Sequence, residues 1–127
     1  MKILVTGVAG FIGFNFSNFL LKKTNFDIVG IDNLNNYYSV NVKKKRLNLL
    51  KKSKKFKFIK VDLTNKKKLQ KIFKKKIDVV FHFAAQAGVR YSLVNPRAYI
   101  ESNTVGFFNV IDFVFWVFRF CQGISKV

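Results

Sequence analysis

Lys2-Ile3-Leu4-Val5-Thr6-Gly7-Val8-Ala9-Gly10-Phe11-Ile12-Gly13 decides how the chain is read, because an apolar run leads straight into a turn marked by three glycines. Ile3, Leu4 and Val5 are what a strand covered on both faces requires. The glycines have separate tasks. Gly7 permits a tight turn, Gly10 lets backbone N–H groups come close to a pyrophosphate, and Gly13 lets the following helix pack tightly on its strand. A helix opening at about Phe11 directs its unpaired N–H groups and positive dipole end at such an anion. Asp32 lies 19 residues past Gly13, at the end of a second apolar strand, where its carboxylate can accept hydrogen bonds from a ribose diol. Strand, glycine turn, helix and distal acid together read as a dinucleotide cradle that prefers NAD to NADP.

Beyond the cradle the chain alternates. Ile12, Phe16, Phe19 and Leu20 recur at helical spacing and predict the buried face of a helix over 11–23. Residues 27–31 read as the second strand, closed by Asp32, and 33–41 as a polar turn. Val42, Leu47 and Leu50 predict a lysine-covered helix, and 56–61 a third strand ended by Asp62-Leu63. Thr64 or Asn65 can cap the next helix, whose buried stripe is Leu69, Ile72 and Phe73. Residues 78–85 read as a fourth strand, and Asn95-Pro96 starts a long last helix, proline being favoured in a first turn. No two-residue hairpin signal interrupts this order. The expected fold is therefore α/β, a Rossmann-type doubly wound parallel sheet that stops after its fourth strand and the helix following it. Ligands of such sheets bind at the carboxyl ends of the strands, where Gly7, Asp32, Asp62 and Ala84 all fall.

The 127 residues suit one domain, and 20 of the 24 basic residues are Lys, giving a formal net charge of +18. In 43–76, 17 of 34 residues are Lys or Arg against the single acid Asp62. A polyanion footprint is one reading. Solvated helix faces in a lysine-biased sequence are the favoured one, since no nucleic-acid module surrounds the run, and no specific nucleic-acid partner is expected. The one cysteine, Cys121, allows no internal disulfide, no metal-ligand cluster is visible, and a reducing, cytoplasmic setting fits. Met1 leads directly into the first strand with no apolar leader, so no signal peptide is expected. Residues 113–120 are nearly all aromatic or Val, but Asn109, Asp112 and Arg119 interrupt what would have to be about 20 apolar residues for a membrane span. No membrane association is expected.

Two further strings carry a resemblance. One is Tyr37-Tyr38, Val42-Lys43 and Arg46-Leu47. The other is His82-Phe83-Ala84-Ala85-Gln86-Ala87-Gly88-Val89-Arg90-Tyr91-Ser92, followed by Asn95-Pro96, Tyr99, Asn103, Gly106 and Asn109. Residues 1–112 with these strings resemble the extended short-chain dehydrogenase/reductases, and among them the NAD-dependent nucleotide-sugar epimerases of the UDP-glucuronate 4-epimerase branch. Neighbouring dehydratases and reductases of the superfamily share parts of the pattern. The resemblance implies NAD as cofactor. It implies that Gly7, Gly10, Phe11, Ile12 and Gly13 line the pyrophosphate turn and that Asp32 and Asn33 hold the adenosine ribose. Asp62 and Leu63 would touch the adenine, and Phe83, Ala84, Ala85 and Gln86 would run beside the nicotinamide half. Asn103 would lie near the cofactor, and Arg90, Tyr91 and Ser92 where substrate approaches. His82, the only histidine, is read as a strand packing residue.

In such epimerases a tyrosine activated by a lysine four residues later takes the proton of the sugar's 4-hydroxyl. Four residues after Tyr37, Tyr38, Tyr91 and Tyr99 stand Asn41, Val42, Asn95 and Asn103, so no catalytic residue is assigned here. The expected organisation is an NAD-binding Rossmann part over 1–112, a divergent apolar helix end and tail over 113–127, and no C-terminal substrate domain. The tail, with Ser125-Lys126, reads either as a vestige of the approach to a further strand or as out-of-frame sequence. Two function classes follow. One is the cofactor-binding part of a UDP-glucuronate/UDP-galacturonate epimerase, inactive alone, with a nucleotide sugar as ligand of the complete enzyme, a homodimer by resemblance, and a second chain supplying the catalytic half. The other is a non-catalytic remnant with weak polyanion binding.

Overall fold

The structure, a computed structural model, describes residues 1–121. The Ser125-Lys126 tail lies outside them. In chain order the elements are β1 (Lys2–Thr6), α1 (Phe11–Lys23), β2 (Asp27–Asp32), α2 (Val40–Leu50), β3 (Phe56–Lys60), α3 (Lys66–Phe73), β4 (Val79–His82), α4 (Val89–Ser92), α5 (Pro96–Tyr99), a π-helical segment (Ile100–Gly106) and α6 (Phe107–Cys121). All strand pairs are parallel and their order is β3-β2-β1-β4, so β1 is central. The expected α/β parallel sheet is present.

The chain forms two compact units: residues 1–61 with 77–84, and residues 62–76 with 85–121 of the described chain. The first contains the sheet, α1 and α2. Alternation along β1 directs Ile3 and Val5 into a cluster with Val8, Ala9, Ile28, Leu47, Leu50 and Phe56. Each such aliphatic side chain contributes roughly 1.5–3 kcal/mol when fully buried. Gly30, opposite Val5, keeps this cluster closed: a Cβ there would stand 2.8 Å from both Val8 methyls and 2.9 Å from the Phe56 ring.

The buried face of α1 differs from the expected one. Ile12 is 63% and Phe19 58% exposed, while Gly13 and Ser17 are buried and Phe14, Phe16, Leu20 and Leu21 pack on the cluster. The reason is approach distance. The helix lies so close to the glycine turn that only small residues fit at the contact, and a hydrophobic count ignores Gly and Ser. The α2 face shifts by one residue for the same kind of reason. Val42 is exposed, and Lys43, only 7% exposed, takes its place one turn before Leu47. Its ammonium donates to the backbone and side-chain oxygens of Asn35, both at 2.9 Å, so its charged end is hydrogen-bonded despite burial.

The sheet's two outer strands differ. On β3, Lys57 and Lys60 are exposed, the sort of charge that discourages edge-to-edge pairing. On β4, which is shorter than the 78–85 expected, the run Val79-Val80-Phe81-His82 is half-buried.

The second unit is helical. Leu69, Ile72 and Phe73 of α3 are buried as expected, and the Phe73 and Phe113 rings stack at 5.4 Å. Asn65 is the cap, its Oδ1 accepting from the Lys68 N–H at 3.0 Å. A Lys66–Asp112 ion pair of 2.9 Å joins the surfaces of α3 and α6. The long helix expected from Asn95-Pro96 is present, helical without a break from Pro96 to Cys121, but Ile100–Gly106 within it is π-helical between α5 and α6, and α4 was not anticipated. Along α6, Phe113 is buried while Val114, Phe115 and Trp116 are exposed. Among the described residues, no helix is long and apolar enough to cross a membrane and no group of acids, His and Cys could hold a metal ion.

Candidate functional site

The glycine turn is built from both ends. Gly7 has φ +65°, a conformation side chains rarely adopt, and a Cβ there would lie 2.7 Å from the Ala84 nitrogen. A Cβ on Gly13 would lie 2.3 Å from the Gly7 carbonyl oxygen. These two glycines are therefore required by the fold. Gly10 is not: its φ is −69°, and the nearest atom to a Cβ there, the Gly7 oxygen, is 3.1 Å away. Its bareness leaves the outer side of the turn open. The Gly10 N–H donates to Gly7 and the Phe14 N–H to Gly10, both at 3.0 Å, so the first-turn N–H groups of Phe11, Ile12 and Gly13 precede the main helical ladder. Gly10, as N-cap, offers them no side-chain partner.

Asp32, at the carboxyl end of β2, reaches this turn. Its Oδ2 accepts from the Ala9 N–H at 3.1 Å and its Oδ1 from the Leu34 N–H at 2.8 Å. Leu34 has φ +55°, unusual for a residue with a side chain, and its bond to Asp32 holds it there. A carboxylate has about four lone-pair sites, so both oxygens retain capacity for a diol. Asn33 follows, with its Oδ1 accepting from the Asn35 N–H at 3.0 Å.

Behind the turn, the Thr6 hydroxyl oxygen accepts from the N–H groups of Phe83 and Ala84, each at 3.1 Å. The hydroxyl is also hydrogen-bonded to Nδ1 of His82, 2.8 Å away, the donor being set by the ring's tautomer. Burial lowers the His82 pKa, in keeping with a neutral ring in a strand. The ring of Phe83 packs on Phe16 at 5.3 Å, leaving its backbone and that of Ala84 at the strand end beside Gly7.

Two basic residues that the sequence marked only as part of the resemblance, Lys43 and Arg46, were given no role there because both sit inside the lysine run. Lys43 anchors Asn35, as described. Arg46, one turn later, donates from Nη1 to the Ala9 carbonyl at 3.2 Å and lies over the Phe11 ring at 5.9 Å from its centroid. Their spacing relative to Leu47 and Leu50 is the signal that distinguishes them from the solvated lysines.

Thus Gly7, Gly10, Phe11, Ile12, Gly13, Asp32, Asn33, Phe83 and Ala84 belong to the first unit, with Phe11 and Ile12 exposed at the mouth of α1. Asp62, Leu63, Ala85, Gln86 and Asn103 belong to the second. There Asp62 Oδ1 accepts from the backbone and hydroxyl of Thr64 at 2.9 and 2.7 Å. Leu63 is buried under Gly106, and its carbonyl accepts from Asn109 Nδ2 at 2.8 Å. Asn103 clamps Gln86 twice, Oδ1 accepting from its N–H at 2.7 Å and Nδ2 donating to its carbonyl at 3.0 Å. Tyr99 donates its hydroxyl to the carbonyls of Ala87 and Gly88. Arg90, Tyr91 and Ser92 lie together on α4, the Tyr91 hydroxyl accepting from Asn95 Nδ2 at 3.2 Å.

This arrangement has counterparts. The model of the GDP-mannose 4,6 dehydratase family matches residues 4–122. The chain belongs to that family. It is 51% identical over 110 residues to a UDP-glucuronate 4-epimerase of Thermodesulfobacterium geofontis, an alignment covering 86% of this chain and 34% of that protein. It is 41% identical over 113 residues to a probable UDP-glucuronate 4-epimerase of Rhizobium meliloti, covering 88% and 33%. The chain spans about a third of the length of these curated relatives. Among solved structures, UDP-glucuronic acid 4-epimerase from Bacillus cereus, in complex with UDP-glucuronic acid and NAD, matches with a TM-score of 0.78 at 36% identity, over 89% of this chain and 36% of that one.

Proposed function

We propose that this chain is the NAD-binding portion of a nucleotide-sugar epimerase, one that interconverts UDP-glucuronate and UDP-galacturonate through a transient 4-keto sugar. The observation that carries the reading is the open glycine turn with the Asp32 carboxylate bonded to its Ala9 N–H. Its support comes from two relatives named as a UDP-glucuronate 4-epimerase and a probable one, and from a solved UDP-glucuronic acid 4-epimerase in complex with UDP-glucuronic acid and NAD. The residues fit the cofactor. The first-turn N–H groups of α1 would take the pyrophosphate, with Gly10 leaving room for it, and Asp32 and Asn33 the adenosine ribose. Phe11 and Ile12 would flank the turn, and the backbone of Phe83 and Ala84 would border the nicotinamide half. Asp62, Leu63, Ala85, Gln86 and Asn103 would serve the adenine and nicotinamide ends as the resemblance implies, and Arg90, Tyr91 and Ser92 the sugar side. When bound, NAD supplies reversible hydride acceptance at the sugar's fourth carbon.

The proton of the 4-hydroxyl needs a base as well, and the sequence holds no Tyr-x-x-x-Lys pair. His82 does not replace it, because its Nδ1 is held by Thr6 and a base must approach the proton to within about 2.6–3.2 Å. The expected outcome is that the chain binds NAD more tightly than NADP and does not turn over UDP-glucuronate alone. Titration with both cofactors, then NMR detection of UDP-galacturonate after incubation with NAD, checks both parts. NADP bound as tightly as NAD refutes the cofactor reading. Turnover by the chain alone refutes its inactivity, whereas turnover only with a second chain added identifies a split enzyme, and a 4-keto-6-deoxy product identifies a dehydratase.

A further inference from the structure

At the outer edge of β3, charge and backbone geometry coincide. The Ile28 N–H donates to the Lys55 carbonyl at 2.8 Å and the Val61 N–H to the Asp32 carbonyl at 3.1 Å, so the odd-numbered residues of this stretch turn their backbone groups toward β2. The even-numbered ones turn theirs away. The Phe56 N–H is taken by the Ser53 carbonyl at 3.2 Å, which leaves the Phe56 carbonyl and both backbone groups of Phe58 and Lys60 along the edge, without a hydrogen-bond partner among the described residues. The side chains alternate too. Lys57 is exposed on one face of the strand; on the other, Lys60 is exposed and the Lys51 ammonium lies 5.5 Å from the Phe58 ring centroid. Lys52, Lys54 and Lys55 lead into the strand, and no acid stands anywhere from Lys43 to Val61. Among the described residues, none of Lys51, Lys57 and Lys60 has a carboxylate within ion-pair distance. A strand added at this edge would meet ammonium groups on both of its faces.

We propose that the outer edge of β3 is a docking site for an extended acidic segment of another protein, which joins the sheet as an additional strand beside β3. The proposal does not depend on the NAD-binding reading. Main-chain hydrogen bonds to Phe56, Phe58 and Lys60 supply the hold, and the alternating ammonium groups supply the choice of partner. The same lysines repel a second copy of this chain, whose β3 carries the same charges and whose net charge is +18. A segment with Asp or Glu at alternate positions turns that repulsion into attraction. A nucleic acid is drawn by the charge as well, but it offers no partners in the register of backbone N–H and C=O groups that a strand presents.

The test is fluorescence anisotropy with a labelled peptide of about eight residues alternating Thr and Glu, long enough to cover β3. The comparison probes are the same peptide N-methylated at every peptide nitrogen, which keeps the charge and loses the donors, a Thr/Lys peptide, and a uridylate oligomer of matched charge. The Thr/Glu peptide should bind at least about tenfold more tightly than its N-methylated form, and the Thr/Lys peptide should not compete. Lys57→Glu should weaken the Thr/Glu peptide about fivefold or more while circular dichroism stays that of the parent. Lys60→Pro removes an outward N–H together with a charge, and Lys60→Gln the charge alone, so the proline variant should be the weaker binder by about threefold. If Lys60→Pro changes the circular dichroism spectrum, the two Thr/Glu peptides decide by themselves. Equal binding of those two reduces the edge to a charged surface and overturns the proposal. So does a uridylate oligomer that binds more tightly than the peptide and loses affinity in the same variants, which would make the lysines a nucleic-acid surface. Peptide affinity untouched by both Lys57→Glu and Lys60→Gln places the peptide elsewhere and overturns it too.

Discussion

The glycine turn of residues 7–13 and the stretch 85–106 solve the same problem by different means. Both contain non-repeating backbone that a polar side chain holds in place: Asp32 bonds Ala9 and Leu34 in one, Asn103 bonds both polar groups of Gln86 in the other. In the turn, conformation is imposed by what cannot fit, since a Cβ at Gly7 or Gly13 would meet backbone. In 85–106 it is imposed by what is bonded, through Asn103, Tyr99 and Asn95. Exclusion leaves a mark in the sequence, because only glycine satisfies it. Bonding leaves little, because asparagine and tyrosine serve as well elsewhere.

The largest effect that separates the two should come from Gly13→Val. With the Cβ position 2.3 Å from a backbone oxygen, neither partner can rotate away, and overpacking with its backbone shift should cost about 1–3 kcal/mol or more, a large share of the stability of so small a fold. Chemical denaturation should show it. A variant as stable as the parent would break the distinction at its root.

Gly10→Val sharpens it from the other side. Only the Gly7 oxygen, at 3.1 Å, resists the new side chain, so circular dichroism should change little while NAD affinity falls at least about a hundredfold, the ~2.7 kcal/mol expected of blocked pyrophosphate contacts. Normal NAD binding by this variant would show that the outer side of the turn is not the site.

Asn103→Ala probes the bonded stretch. It strands the Gln86 N–H and carbonyl, one of the few buried polar residues, at a cost of about 1–3 kcal/mol. Hydrogen exchange should accelerate in 85–88 and leave the Ala9 and Leu34 amides unchanged. Equal acceleration in both places would mean that the two regions do not hold themselves independently.

The smallest expected effect is a pH dependence behind the glycine turn. His82 has its pKa lowered from 6.5 by burial, so the unfolded chain binds the proton more readily than the folded one. Its contribution to stability is complete above about pH 6.5 and is lost as pH falls from there through the lower folded value. His82→Gln should flatten stability measured between pH 7 and pH 5. A profile identical to the parent's would remove His82 from the account.

The same contrast governs what could be read beforehand. The parallel sheet and the turn followed from Gly7, Gly13, Asp32 and the alternation of apolar runs, whereas the strand order came from the structure. Ile12 and Phe19 were misplaced because the α1 contact is made by Gly13 and Ser17, whose smallness rather than hydrophobicity decides the packing. Val42 was misplaced because a lysine stem can be buried while its ammonium is bonded, as Lys43 shows. Arg46 was named in the resemblance, but the charges around it hid its bond to Ala9. The π-helical turn had no signal of its own, although Asn103, Gly106 and Asn109 mark it once their contacts with Gln86 and Leu63 are known.

The strand order β3-β2-β1-β4 also sets a schedule. On one side β1 finds β2 soon after synthesis, but its other neighbour is distant along the chain: the Lys2 N–H donates to Asp78, 76 residues away. About 50 residues separate the end of β2 from that of β4, so at about 5–20 residues per second the nascent chain waits roughly 2.5–10 s with the central strand paired on one side only. Closing so long a loop is also entropically slow. The most buried strand of the finished protein, with Leu4 and Val5 fully enclosed, is for those seconds its most vulnerable.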